Sequence, residues 1–360
     1  MSGIWGKNIR ISIFGESHGS AIGITIDGLP PGFEIDLDEV RREMRRRAPG
    51  KSELSTQRSE KDEFEILSGY FNDRTTGTPL AAIIRNRDEH SKDYLEIKSR
   101  MRPSHADYTG NVRYGGFNDY RGGGHFSGRM TAPLVFAGAL ARQILESKGA
   151  AIGSHIISTG KVKEEGFSLT NIEEDTLNRL SHMDFPVISQ EKGEEMKALI
   201  LEARENQDSV GGVIETAIIN LEPGIGSPFF DSVESTLAGL LFSIPGVKGV
   251  EFGLGFDISE MNGSKANDEM YIEDGNIKTY TNNNGGILGG ITNGMPVVFR
   301  TALKPTASIS RKQRTVDIQK MDNAKLEIKG RHDPCIVQRA VPVVEAVAAI
   351  GLLDLMMEAR

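Results

Sequence analysis

The chain has 360 residues, 38% of them hydrophobic and 26% charged, with a net charge of −8 at pH 7. That apolar content excludes a disordered chain, no window approaches the ~18 uninterrupted apolar residues of a membrane span, and the excess of 50 acids over 42 bases argues against a nucleic-acid binder. The single cysteine, Cys335, excludes an internal disulfide and a Cys-rich zinc site. Together with an N-terminus that lacks a signal-peptide pattern, it points to a reducing cytoplasm. Glycine is in excess, 41 residues, about 11% against a usual ~7%. The excess falls in local clusters, which marks tight turns or close backbone approaches to ligands.

No repeat, linker or low-complexity tract divides the chain, so one domain spanning 1–360 is expected. Residues 8–14 alternate apolar and polar (Ile9, Ile11 and Ile13 against Arg10 and Ser12) and read as a half-buried strand. Residues 21–27 read as a second strand, ended by Leu29-Pro30-Pro31-Gly32. Asp36 and Glu39 form a capping-box signature ahead of a helix carrying Leu37, Val40 and Met44, which Ala48-Pro49-Gly50 stops. Helices are expected over 131–148, with Gly149 just past its end, and over 191–207. A strand follows over 213–221, then a helix over 233–242 capped by Asp231 with Glu234, and strands over 247–256 and 296–303. Residues 342–358 read as a helix with Pro342 in its first turn. That helix is apolar nearly all round and should be central and buried. Elements in clusters without βαβ alternation indicate α+β with antiparallel sheets.

Four constellations could carry chemistry. Gly15-Glu16-Ser17-His18-Gly19 matches the G-x-S-x-G spacing of a hydrolase nucleophile elbow. An elbow needs a helix after the serine, and residues 20–26 have strand character instead. Arg41, Arg42, Arg45, Arg46, Arg47 and Lys51 surround one acid, Glu43, in an otherwise acidic protein. Such a cluster suits a small polyanion, because the guanidinium grips carboxylate or phosphate bidentately. The densest stretch runs from Arg102-Pro103-Ser104-His105-Ala106-Asp107 to Gly122-Gly123-Gly124-His125-Phe126-Ser127-Gly128-Arg129. It is a Gly-rich loop entering a helix N-terminus, a ready anion site. It lacks the preceding strand of a Rossmann fingerprint and the Lys-Ser/Thr ending of a P-loop. Gly285–Gly290 and Lys304–Ser308 resemble it, and Arg331-His332-Asp333-Pro334 is the fourth cluster. The seven histidines show no metal-ligand spacing, so no metal is expected. A serine hydrolase and a non-catalytic anion-binding protein remain as alternative readings at this point.

Taken in order along essentially the whole chain, these motifs resemble those of the chorismate synthase family. The resemblance implies helices packed between two largely antiparallel sheets and a homotetramer. It implies an anti-1,4-elimination of phosphate from 5-enolpyruvylshikimate 3-phosphate to give chorismate, with reduced FMN required although there is no net redox change. It places His18 near the flavin, His105 as general acid at the leaving phosphate, and Asp333 where it helps flavin N5 accept the proton lost from the substrate. Ser17, Arg46, Arg102, Arg129 and Arg331 would hold substrate. The FMN contacts would come from His125, Phe126, Ser127, Pro245, Gly246, Gly289, Lys304, Pro305, Thr306, Ala307, Ser308 and Arg331. Arg46 also matches a position that contacts NADP. Two departures stand out: His125-Phe126-Ser127 replaces the Arg-Ser-Ser of many members, and Glu53 stands where many bacterial members carry a second arginine. The second departure leaves NADPH as an indirect reductant only. His155 and His182, outside these motifs, are expected to be functionally silent.

Overall fold

The computed structural model describes residues 3–50, 54–55, 60–86, 98–328 and 332–358. Two five-stranded antiparallel sheets enclose a layer of helices, the α+β arrangement expected from the pattern of elements. The first sheet runs in the order Ile4–Trp5, Arg10–Gly15, Ala21–Asp27, Leu80–Arg85, Phe64–Ser68. The second runs Val247–Phe252, Val297–Leu303, Gly212–Ile219, Ala151–Thr159, Val162–Lys163. Helix Thr131–Glu146 packs on the inner face of the first sheet, and helix Val337–Glu358 lies between it and the second. The latter is long and apolar enough to cross a membrane by composition alone, yet it is buried as the core helix. One apolar cluster joins both layers, from Ile22 and Ile24 through Phe136 and Val344 to Ile214 and Phe299.

Local signals explain most boundaries. Asp36 caps Leu37–Arg47, its carboxylate accepting from the backbone N–H groups of Asp38 (2.8 Å) and Glu39 (3.2 Å). Two expectations are corrected. Helix Val233–Ser243 is capped one residue later than expected: Ser232 Oγ accepts from Ser235 N at 3.0 Å, while Asp231 pairs with Lys7 Nζ at 2.6 Å. The C-terminal helix starts at Val337, so Pro342 lies inside it rather than in its first turn. Burial of Val337, Ala340 and Val341 outweighs the single backbone bond the proline removes.

His155, expected to be silent in turnover, is placed as a structural group. It is fully buried in its strand, with Nδ1 2.5 Å from Glu164 Oε1 and Nε2 3.0 Å from Glu215 Oε2. Two carboxylate partners favour donation from both ring nitrogens, which is the imidazolium form. Burial opposes that charge, but the hydrogen bonds that the ring donates to both glutamates outweigh it and raise the pKa. A raised folded pKa contributes stability that is fully present below the unfolded value of ~6.5 and is lost as pH rises through the folded one. His155→Ala should therefore destabilise the protein at pH 6 by about 3–5 kcal/mol, the cost of leaving buried charges unpaired. Equal unfolding midpoints for variant and parent at pH 6 would refute this. His182 is exposed, beside Arg42 Nη1 at 2.7 Å, and stays the suitable silent control.

Candidate active site

The turn Gly15–Gly19 joins two antiparallel strands, with Gly15 opposite Ile22 in the register. Gly19 N closes it on Glu16 O at 3.0 Å. Strand follows the serine, so the helix that a nucleophile elbow requires is absent here, and the turn instead presents Ser17 to a cavity and buries His18.

Above this turn lies the Gly-rich loop Arg121–Phe126, in which Gly122, Gly123 and Gly124 all have positive φ (57°, 86° and 53°). A β-carbon on Gly122 would stand 2.2 Å from His18 Cδ2, and one on Gly123 would stand 3.1 Å from His105 Cε1. The loop thus threads between two histidines 87 positions apart, and only glycine fits that gap in that conformation. Ser17 N→Gly124 O (3.2 Å) and a bond from His125 Nδ1 to Gly15 O (3.0 Å) fasten loop to turn.

His105 belongs to a compact charged cluster. Arg102 grips Asp107 with a fork, Nε→Oδ2 and Nη2→Oδ1 both at 2.7 Å, and its backbone N–H adds a third bond at 3.0 Å. His105 Nδ1 lies 2.7 Å from Asp107 Oδ1. A carboxylate can only accept, so we assign the Nδ1 proton to this bond, leaving Nε2 for the loop and cavity side. Burial would raise Asp107, but hydrogen bonds from Arg102 and His105 outweigh it and hold the carboxyl well below the usual range. Asp107 therefore stays ionised at neutral pH.

A second cluster forms the opposite wall. Arg47 donates to Asp62 Oδ2 through Nε (2.7 Å) and Nη2 (2.5 Å), and Arg129 Nη1 donates to Asp62 Oδ1. Glu60 Oε2 lies 2.8 Å from Arg129 Nη1. Burial opposes the Asp62 charge, yet the two guanidinium groups outweigh it and lower its pKa. Asp333 Oδ2 accepts from Arg339 Nη1 at 2.5 Å, and Arg339 Nε donates to Arg47 O at 3.1 Å. Lys304 N→Gly246 O (2.9 Å) joins the two remaining loops. Burial, with Lys248 nearby, lowers the Lys304 ammonium pKa.

These groups surround one cavity of about 380 Å³. Of the residues expected from the sequence, Ser17, Arg102, His105, Phe126, Ser127, Arg129, Pro245, Gly246, Lys304, Pro305, Thr306, Ala307, Ser308 and Asp333 line it. His18 lies directly behind Gly122. Three expected residues lie elsewhere. Arg46 points to the helix layer, bonded to Glu43 (2.7 Å) and Glu345 (2.6 Å). His125 holds the turn and does not line the cavity. Gly289 sits in the turn of the hairpin Ile287–Leu288/Ile291–Thr292, beside Gly290, whose carbonyl accepts from Val233 N. Arg331 lies outside the described residues, as does Glu53. The cavity also recruits Arg47, Glu60, His332 and Arg339, which the sequence reading did not assign to it. The departure at Phe126 has a steric counterpart: its ring fills the space beside Gly110, where a β-carbon would come within 2.7 Å.

The family model for chorismate synthase matches residues 9–357. The chain is 46% identical over 356 residues to the chorismate synthase of Thermococcus kodakarensis, covering 99% of this chain and 98% of that one. It is likewise 46% identical over 359 residues to that of Dehalococcoides mccartyi strain BAV1, covering 100% and 98%. A solved crystal structure of chorismate synthase superposes with a TM-score of 0.78 at 32% identity, covering 98% of this chain and 93% of that one. With a matching model over nearly every residue, close relatives of equal length and a shared fold, the chain belongs to the chorismate synthase family of carbon–oxygen lyases.

Proposed function

We propose that the chain eliminates phosphate from 5-enolpyruvylshikimate 3-phosphate to give chorismate, in the anti-1,4 sense, with reduced FMN bound in the same cavity. The observation that carries this reading is the Gly-rich loop held between His18 and His105, with cationic side chains on both walls. The substrate has two carboxylates and a phosphate, and Arg102, Arg129 and Lys304 supply charge to receive them.

The lining also fits a flavin mononucleotide. Ser127, Lys304, Thr306 and Ser308 offer donors for a phosphate near the start of helix Thr131–Glu146, and Phe126, Ile244, Pro245, Ile336 and Val343 offer an apolar wall for a ring. When bound, reduced FMN supplies an electron-rich surface to a reaction that has no net redox change. The chain's own groups handle protons and charge. His105, oriented through Nδ1 by Asp107, holds a proton on Nε2 for the departing phosphate as its C–O bond breaks. Asp333, fixed by Arg339, serves the side on which the substrate gives up its proton. His18, behind Gly122 of the loop, would add a second proton-bearing group near a flavin held in the cavity.

The commitment of Arg46 to Glu43 and Glu345 supports NADPH as an indirect source of reducing equivalents, with flavin reduced elsewhere. The continuous core supports a single domain, and the family relationship supports a homotetramer working in the cytoplasm.

The test is an anaerobic incubation with 5-enolpyruvylshikimate 3-phosphate, following phosphate and chorismate together. Equimolar products with reduced FMN, and none with oxidised FMN, are expected. Equal turnover without any flavin overturns the reading, and inactivation by a serine-directed phosphonate would favour a hydrolase.

A further inference from the structure

Asn86 follows strand Leu80–Arg85, its backbone N–H bonded to Ser20 O at 3.2 Å. Its side chain reaches both parts of the cavity wall. Nδ2 donates to Glu16 O (3.0 Å) and Gly19 O (2.8 Å), the two carbonyls that bracket Ser17 and His18, while Oδ1 accepts from Arg129 Nε (3.1 Å). Chemistry fixes this orientation. Turned over, the amide would set its oxygen against two carbonyls and its NH₂ against a guanidinium, and every contact would be repulsive.

The three bonds give the carboxamide a coupling role. Arg129 is held at Nε by Asn86 and at Nη1 by Asp62 and Glu60, the two positions that flank Nη2 on the guanidinium. Nη2 takes no partner among the described residues and is left for a ligand anion. The same amide also clamps the turn that presents Ser17 and seats His18. We propose that Asn86 is a positioning residue that sets the guanidinium plane of Arg129 relative to the Ser17–His18 turn, so that anion binding and proton handling share one geometry. This rests on reading the cavity as the chorismate-forming site. No other described side chain hydrogen-bonds both to Arg129 and to the turn.

The test is a double-mutant cycle of Asn86→Ala with Arg129→Ala, read as KM and kcat separately with pre-reduced FMN. In the parent background Asn86→Ala should raise KM and lower kcat, each by about tenfold. In the Arg129→Ala background its effect on KM should fall below about twofold, while the loss in kcat persists through the turn. A purely structural role would give the same factors in both backgrounds, and that result overturns the proposal, as does a folded Asn86→Ala enzyme with parental KM and kcat. If Asn86→Ala does not fold, Asn86→Asp keeps an acceptor for Arg129 and loses both donors to the turn. Its kcat should then fall at least about tenfold, and a parental kcat refutes the idea. If the parent itself makes no chorismate, the functional reading fails separately. The positioning is then read with inorganic phosphate, whose stabilising effect on Tm should demand at least about threefold more phosphate in Asn86→Ala. An unchanged phosphate dependence overturns it.

Discussion

Replacing His105 by alanine is expected to slow single-turnover chorismate formation by about 10²–10⁴-fold, the contribution of a positioned proton donor. The effect should appear in the chemical step at saturating substrate, with flavin affinity changed far less. The geometry gives the reason. Asp107, kept ionised by Arg102, takes the Nδ1 proton of His105 and so directs Nε2 to the loop and cavity side. In the variant, Asp107 keeps its fork with Arg102, so the cluster stays largely satisfied and the protein should fold. That separates chemistry from stability, which a change at Asp107 would not. His182→Ala, an exposed histidine, should leave the rate unchanged. A His105→Ala enzyme that retains more than about a third of the parental rate would assign the donor role to another group.

What the sequence disclosed, and what it hid, follows from the range of the forces involved. The strand Ala21–Asp27, the Asp36 cap and the buried C-terminal helix rest on alternation, a three-residue hydrogen bond and an apolar run, all local signals. Strand Ala151–Thr159 carried no such signal, because Ser154, His155, Ser158 and Thr159 are buried polar residues that interrupt any apolar pattern, Ser154 meeting Thr216 at 2.9 Å and His155 meeting Glu164 and Glu215. Within the basic helix, consecutive positions are turned by about 100°. Arg46 therefore faces Glu345 while Arg47 faces Asp62 and the cavity, and composition cannot say which arginine does which. The dense motifs did disclose the histidines and the glycine loop. Asp62 and Asn86 stand alone in ordinary segments, and only the folded chain shows what they hold.

Asp62 bears the second large expectation, on stability. Its side chain is wholly buried between Arg47 and Arg129, so removing the carboxylate leaves two guanidinium groups close together, with Glu60, on Arg129, the remaining ion-pair partner among the described residues. Breaking a buried pair from one side costs about 3–5 kcal/mol. Asp62→Asn should therefore lower the unfolding midpoint strongly at pH 7, although it preserves volume and shape. The pH dependence carries the diagnosis. The folded pKa of Asp62 is depressed, so its contribution is fully present above the unfolded value of ~3.9 and is lost as pH falls through the folded value. The gap between parent and variant should stay constant from about pH 7 to pH 5 and narrow below about pH 4, as the parent loses the charge that the variant never had. Urea unfolding at several pH values reads this directly. A gap that stays below about 1 kcal/mol at pH 7 would make Asp62 a solvated ion pair. A gap that does not narrow in acid would place the loss in packing rather than charge.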